Sequence, residues 1–170
     1  DHRDLHSFPT RRSSDLDEKR LYLDTTPSGE TRLYARIGTG VTTVTPAFNP
    51  TVKTVQYINM LSSKNTKTAY NKQYAISGER VVGDAAMDFI MGLAEKVGSD
   101  CETTLVSYNT WDTATEGAYP AKRYDVMIAV ANDGTLAGGD TQAVEATMYV
   151  NSAATEGTFN PTTKAFTATP

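Results

Sequence analysis

Short runs that mix polar and apolar residues, rich in threonine, valine, tyrosine and isoleucine, follow one another along most of the chain. Glycine, proline, asparagine and aspartate separate the runs, as in half-buried strands joined by turns. The pattern predicts strands at 19–24, 32–37, 41–45, 52–60, 74–82, 102–108, 122–131 and 142–150. We therefore predict a mainly β fold, an antiparallel β-sandwich or open barrel flanked by one α-helix.

The last run, Glu156 to Thr167, predicts a terminal hairpin that turns at Asn160 and Pro161. Phe159 and Phe166 are expected to pair across it, because aromatic residues on opposite strands stabilise such pairs. The run 52–60 is different, since neither of its two faces is cleanly apolar. A strand with two mixed faces suits contact with another subunit or with solvent.

One segment changes from a period of two to a helical period. Residues 84–97 predict a helix that Asp84 caps at its N-terminus and Gly98 ends. Its apolar stripe is expected to pack across a sheet rather than to bind a ligand. The predicted helix core consists of Met87, Ile90, Met91, Leu93, Ala94 and Val97.

The segment from Leu61 to Lys72 is polar, with three lysines and no acidic residue, and predicts an exposed loop. Loops of this length in a compact domain are usually functional or mobile. One interpretation is a solvated hairpin tip. The other is an arm that contacts a neighbouring acidic subunit, with Lys64, Lys67, Tyr70 and Lys72 as the candidate contact residues.

The first sixteen residues are unlike the rest. Read back into codons, Asp1 to Leu16 resembles a short-read sequencing adapter, so we expect a non-native, disordered segment that is excluded from the fold. A genuine polar tail is the alternative. The remainder, 17–170, has the size of a single domain and keeps 13 basic against 17 acidic residues, because the segment holds three of each. This mildly acidic balance argues against a nucleic-acid-binding or anionic-membrane-binding domain.

Little of the usual catalytic chemistry is possible after residue 16, because His2 and His6 are the only histidines. Cys101, the single cysteine, has no imidazole partner and forms no internal disulfide. Asp84 and Asp88 are read as solvated residues of the helix rather than as a carboxylate pair. No run is long and apolar enough to span a bilayer, so a protein that is soluble or part of a soluble assembly is expected.

Two weaker features leave binding functions open. The run 132–140 combines oxygen ligands with glycines, but it lacks the spacing of an EF-hand loop, so a plain turn competes with a calcium site. The same glycines do not form a phosphate-binding loop. Trp111 allows a sugar-stacking role, although a loop tryptophan is more often a core or interface anchor. The sequence predicts no enzyme, no metal and no cofactor.

Five segments in order resemble the tail tube (major tail) proteins of siphophages and of prophages of Gram-positive bacteria. The likeness covers nearly all of 17–167 and is carried by Lys19–Asp24, Ala47–Pro50, Gln56–Asn59, Gly78–Asp84 and Glu156–Asn160. It implies a β-sandwich with one helix that assembles into hexameric rings. The rings would stack into a tube in the virion tail, assembled in the host cytoplasm, through which the tape measure protein and then DNA pass.

The resemblance also implies tail terminator and baseplate proteins as partners, and no membrane. Strands at 41–45, 52–60 and 73–82 are the candidates for the inner wall, with 61–72 reaching toward the adjacent ring. Two alternatives stay open: a carbohydrate-binding or surface-adhesion β-sandwich, and the tube protein of a bacterial contractile injection or secretion system.

Overall fold

The computed structural model describes residues 19–135 and 138–170, so the prediction for Asp1 to Leu16 lies outside the described residues. Within them the only α-helix is α1 (Ala85–Met91), and a short 3-10 helix covers Gly98–Cys101. The strands are β1 (Lys19–Asp24), β2 (Tyr34–Ile37), β3 (Val41–Ala47), β4 (Pro50–Val55), β5 (Lys64–Tyr70), β6 (Gln73–Glu79), β7 (Glu102–Asn109), β8 (Tyr119–Thr135), β9 (Ala143–Val150), β10 (Thr155–Asn160) and β11 (Ala165–Ala168).

Nine of the strands form one antiparallel sheet, in the order β2-β1-β7-β8-β9-β6-β3, with β10 and β11 attached through β8. Strands β4 and β5 form a separate two-stranded sheet. The described strands do not close into a barrel. The predicted fold class, mainly β and antiparallel with one helix, is therefore confirmed as consistent with a β-sandwich.

The large sheet forks along β8. The first residues of β8, from Tyr119 to Arg123, pair with β10, whereas β9 takes over the same side from Val126 onward. Strand β7 occupies the other side of β8. One branch of the sheet thus continues through β9 to β6 and β3, and the other through β10 to β11.

Strands β1 and β7 are buried on both faces, because each branch covers one of them. On one face Leu23, Leu105 and Val126 join a core with α1, β6 and β9. On the other face Tyr22 and Val106 join an aromatic core. Its centre is formed by Phe159 of the terminal hairpin and Tyr108 of β7, which are both buried. Strands buried on both faces read as continuous runs rather than as alternation, as Thr103 to Val106 do.

The aromatic core confirms the predicted terminal hairpin. Phe159 is opposite Phe166 in the register of β10 and β11. Its ring lies 4.7 Å from that of Tyr22 and 5.7 Å, edge-on, from that of Tyr34. At the turn the Asn160 side chain accepts hydrogen bonds from the backbone N–H groups of the two threonines after Pro161.

A buried carboxylate fixes the end of β1. Asp24 is fully buried and accepts hydrogen bonds from Arg32 Nη1 at 3.1 Å and from the Thr26 backbone N–H at 3.0 Å. The hydroxyl of Thr103 donates to the Asp24 carbonyl oxygen at 2.6 Å. A buried charge needs such partners, so this network ties the first turn to β7.

Helix α1 is shorter than predicted. Asp84 caps it as expected and accepts from the Met87 N–H at 2.9 Å, but Gly92 rather than Gly98 ends it. Glycine is a poor helix former, and the backbone N–H groups after it bond the carbonyl three residues back rather than the one four residues back. Of the predicted helix core, Met87, Ile90 and Leu93 are buried and Met91 is half-buried. Ala94 and Val97 are exposed, Val97 by 83%, so their assignment to the core was wrong.

A candidate assembly surface: the projecting hairpin and the cleft at its base

Strands β4 and β5 form a hairpin that packs almost nothing against the rest of the protein. Every residue of β5 is exposed, and in β4 only Val55 is half-buried. The hairpin register runs from Pro50 opposite Tyr70 to Val55 opposite Lys64. The prediction of a loop over 61–72 was therefore wrong for its central part. Strand β5 is held by backbone hydrogen bonds to β4. Because none of its side chains is buried, its sequence shows no alternation of apolar and polar residues.

The tip of the hairpin exposes large apolar side chains. Ile58 is 109% exposed and Leu61 106%, and the ring of Tyr57 is also on the surface. Strand β4 ends at Val55 rather than at Met60 as predicted, so these residues lie in the connection between the two strands. Apolar side chains clustered at an exposed tip are typical of an interaction surface.

The hairpin also lies in a segment without negative charge. Residues 31–78 contain six basic residues and no acidic one, whereas residues 79–170 contain thirteen acidic and five basic residues. The predicted contact residues Lys64, Lys67 and Tyr70 lie together on β5. The Lys67 ammonium lies 4.9 Å from the centre of the Tyr70 ring. One copy of the chain thus offers a basic projection and a mostly acidic body.

Lys72, the fourth predicted contact residue, is not on the hairpin but at its base. Its ammonium group lies over three aromatic rings, at 4.0 Å from the centre of Tyr124, 5.1 Å from Tyr74 and 5.3 Å from Phe48. It also donates a hydrogen bond to the Tyr124 hydroxyl at 2.9 Å. Phe48 precedes β4, whereas the two tyrosines belong to β6 and β8, so Lys72 joins the hairpin to the large sheet.

Backbone and side-chain bonds hold the hairpin at the same place. The Asn71 N–H donates to the Phe48 carbonyl at 2.9 Å, and the Asn49 side chain donates to the Asn71 carbonyl at 3.2 Å. The Phe48 and Tyr70 rings lie 6.1 Å apart. These contacts fix the position at which the hairpin leaves the body.

A cleft of about 540 Å³ opens beside this base. It is lined by Lys19 at the start of β1, by Lys72, and by residues of β6, β7, β8 and β10. Burial lowers the pKa of Lys19, and the nearby charge of Lys72 lowers it further. Burial likewise raises the pKa of three tyrosines in the cleft, Tyr74, Tyr108 and Tyr124.

Other residues named from the sequence are placed away from the hairpin. Trp111 is 53% exposed in the turn after β7. Cys101 is buried with its thiol unpaired. At the end of β8 the Asn132 side chain accepts a hydrogen bond from the Gly134 N–H and donates one to Thr135 Oγ1, so its oxygen is used within the strand end. Asp88, predicted to be only solvated, pairs with Arg80 at 2.9 Å.

The described residues hold no group of three or more histidine, cysteine, aspartate or glutamate side chains placed to share a metal ion. No α-helix in the described parts of the chain has the length and apolar character to cross a membrane.

Comparison with known proteins found likeness in solved structures alone. No protein-family model matches the sequence, and no curated protein matches it significantly. One similar chain comes from the tail of an empty gene transfer agent particle, computed with helical refinement and C6 symmetry. It aligns with a TM-score of 0.59 at 15% identity, over 92% of this chain and 100% of that chain.

A second similar chain comes from the virion of a native gene transfer agent particle, with a TM-score of 0.59 and 11% identity. The alignment covers 92% of this chain and 100% of that chain. At these identities the likeness shows a shared fold. The fold described here is therefore one that chains of phage-like particles also adopt.

Proposed function

We propose that the protein is a structural, non-enzymatic subunit of a phage-type tail tube, which assembles into hexameric rings that stack into a conduit for DNA. The observation that carries this proposal is the fold match over the full length of a chain from a tail with C6 symmetry. The alignment covers the whole of that chain, as expected if the two chains have the same structural role.

The hairpin supports the proposal independently. An isolated two-stranded hairpin is marginally stable in water, and its exposed apolar tip has a hydration cost that contact with another molecule removes. In a tube the tip formed by Tyr57, Ile58 and Leu61 would insert into the adjacent subunit or ring. Lys64, Lys67 and Tyr70 would then face its acidic body, where opposite charges favour the correct partner.

The edge of the large sheet provides a second contact. Strand β3 lies at one end of the strand order and is mostly exposed. Its unpaired backbone groups would pair with the next subunit, because a free edge is a template for another strand. Strands β3 and β6 would then contribute to the inner wall of the ring, and because neither strand carries a basic residue, DNA would pass without binding.

The finer roles follow from the same proposal. The tape measure protein would occupy the lumen before DNA, and tail terminator and baseplate proteins would cover the two ends of the tube in the virion tail. The tube of a bacterial injection or secretion system would use the same contacts.

The test is assembly of the purified chain. We expect light scattering to show a concentration-dependent rise in mass, and negative-stain electron microscopy to show six-fold rings or tubes. A folded protein that stays monomeric from micromolar to millimolar concentration in low salt would contradict the proposal. Saturable binding to a glycan array, lost in Trp111→Ala, would instead favour the carbohydrate-binding alternative.

A further inference from the structure

The cleft at the base of the hairpin has the chemistry of an anion site. Lys19 and Lys72 both line it, and within the described residues neither ammonium forms an ion pair with a carboxylate. The two like charges are close enough for Lys72 to act on the pKa of Lys19. Two neighbouring cations without an anion repel each other, and a bound carboxylate would remove that repulsion.

A buried donor in the cleft also lacks a partner. Tyr74 is 1% exposed, and its hydroxyl makes no hydrogen bond among the described residues. Lys72 and Ser107, which act on the pKa of this hydroxyl against the effect of burial, both line the cleft. A buried hydroxyl without a partner is costly, and a carboxylate oxygen would accept its hydrogen bond.

Other lining groups are already engaged. Lys122 pairs with Glu156 at 3.2 Å, and the Asp112 carboxylate accepts from the Asn109 side chain at 3.1 Å. These two acids line the cleft but are not paired with Lys19 or Lys72. Among the described lining residues, the ammonium groups without a carboxylate partner are thus those of Lys19 and Lys72, and the buried hydroxyls without a hydrogen bond are those of Tyr74 and Tyr108.

We infer that this cleft receives an aspartate or glutamate side chain from a second copy of the chain. The acidic surface of residues 79–170, with thirteen acidic residues against five basic ones, supplies the carboxylate. Because the occupant is a second copy, the inference rests on the self-assembly proposed above. Its content is specific: the carboxylate would bind Lys19 and Lys72 and accept a hydrogen bond from Tyr74.

The decisive experiment is zero-length carbodiimide cross-linking of the assembled full chain, using a mixture of copies with natural nitrogen and with ¹⁵N. Peptides that join a light to a heavy copy report contacts between copies. We expect mixed-isotope links between Lys19 and an aspartate or glutamate. The matched control is Lys96, an exposed lysine outside the cleft and the hairpin, which should form few such links.

A variant gives a second readout. Lys19→Gln should raise the concentration for half-assembly about tenfold, the loss of one charge-assisted hydrogen bond. It should not lower the melting temperature of the monomer, because it removes a charge that Lys72 repels. Lys96→Gln should change half-assembly by less than about twofold, since it is an exposed charge outside the contact.

Three outcomes would overturn the inference. Assemblies in which Lys19 forms no mixed-isotope link, and in which Lys19→Gln assembles normally, would remove the cleft while leaving the tube proposal intact. Links from Lys19 only within one copy would show that the chain fills its own cleft. A chain that never assembles would overturn both proposals.

Discussion

Two strand pairs of this chain differ most in burial: β1 with β7, and β4 with β5. From Leu21 to Asp24 and from Thr103 to Val106 every residue is buried, because the forked sheet covers both faces of these strands. Strand β5, in contrast, buries none of its residues. The body is therefore stabilised by side-chain packing, whereas the hairpin is held by backbone pairing and by the contacts of Phe48, Asn71 and Lys72 at its base.

This difference separates folding from assembly. A side chain that packs inside the body contributes to the stability of one copy, whereas an exposed side chain of the hairpin contributes only when another molecule covers it. Substitutions in the two regions should therefore have separable effects on the melting temperature and on the formation of rings and tubes.

The largest contrast comes from making the same substitution in both regions. Leu105→Asp should leave no soluble folded protein, because an unpaired charge in a fully buried site costs several kcal/mol against a total stability of about 5–15 kcal/mol. Leu61→Asp, at the fully exposed tip, should leave the circular dichroism and melting temperature unchanged but weaken assembly. Equal loss of folded protein in both variants would contradict the division.

A polar residue of the body should have the next largest effect. Asp24→Ala should cost roughly 1–3 kcal/mol, because it removes a fully buried acceptor of the Thr26 N–H and of Arg32, whose side chain is 46% exposed and is solvated after the substitution. The exposed Asp125 on β8 is the control, and Asp125→Ala should change stability by less than about 0.5 kcal/mol. Urea denaturation of both variants measures the difference. Similar midpoints would mean that the Asp24 network does not stabilise the turn.

Lys72 lies at the boundary between the two regions, so its effect should be intermediate. Lys72→Met keeps the aliphatic length but loses the ammonium group over three rings, which should cost about 1–2 kcal/mol. A loss of that size lowers the melting temperature by roughly 2–8 °C in a protein of this length. Lys67→Met, whose ammonium lies over one exposed ring, should lower it by less than 1 °C. Equal shifts in melting temperature would show that Lys72 stabilises the protein no more than a solvated lysine does.

The body could be predicted from the sequence because burial leaves a record there. The short apolar run from Leu21 to Leu23 marked β1, and the pairing of Phe159 with Phe166 followed from their places around a turn. The helix was correct where its apolar stripe is buried, at Met87 and Ile90. The predicted helix was too long at its C-terminal end, because the apolar stripe continues in sequence beyond Gly92, where the helical hydrogen bonds end.

The hairpin could not be predicted as a strand for the complementary reason. A strand that buries no side chain has no apolar period, and the polar run around Lys64 and Lys67 looks the same in a loop and in β5. The position of Lys72 was hidden as well, because its aromatic partners Phe48 and Tyr124 are far from it in sequence. The turn-forming residues Asn49, Pro50 and Asn71 were the one sequence signal that could have indicated a fixed hairpin base.

Reversing the charges of β5 should have the smallest effect on stability. Relative to that small effect, its effect on assembly should be the largest. The double variant Lys64→Glu with Lys67→Glu should melt within about 1 °C of the wild type, because exposed charges seldom change stability by more than about 0.5 kcal/mol each. Lys72 is left unchanged, since its reversal would disturb the hairpin base. The matched control is Lys96→Glu with Lys164→Glu, an identical change in net charge on exposed residues outside the hairpin.

Assembly of the two double variants separates a local contact from net charge. If β5 faces the acidic body of a neighbouring copy, its reversal should abolish tubes at 50 mM salt, whereas the control should still form them. The difference should shrink at high salt, because the Debye length falls to about 3 Å at 1 M. Sedimentation and electron microscopy at matched concentrations measure both effects. Tubes of normal length from the β5 variant would show that the hairpin is a solvated projection whose lysines take no part in stacking.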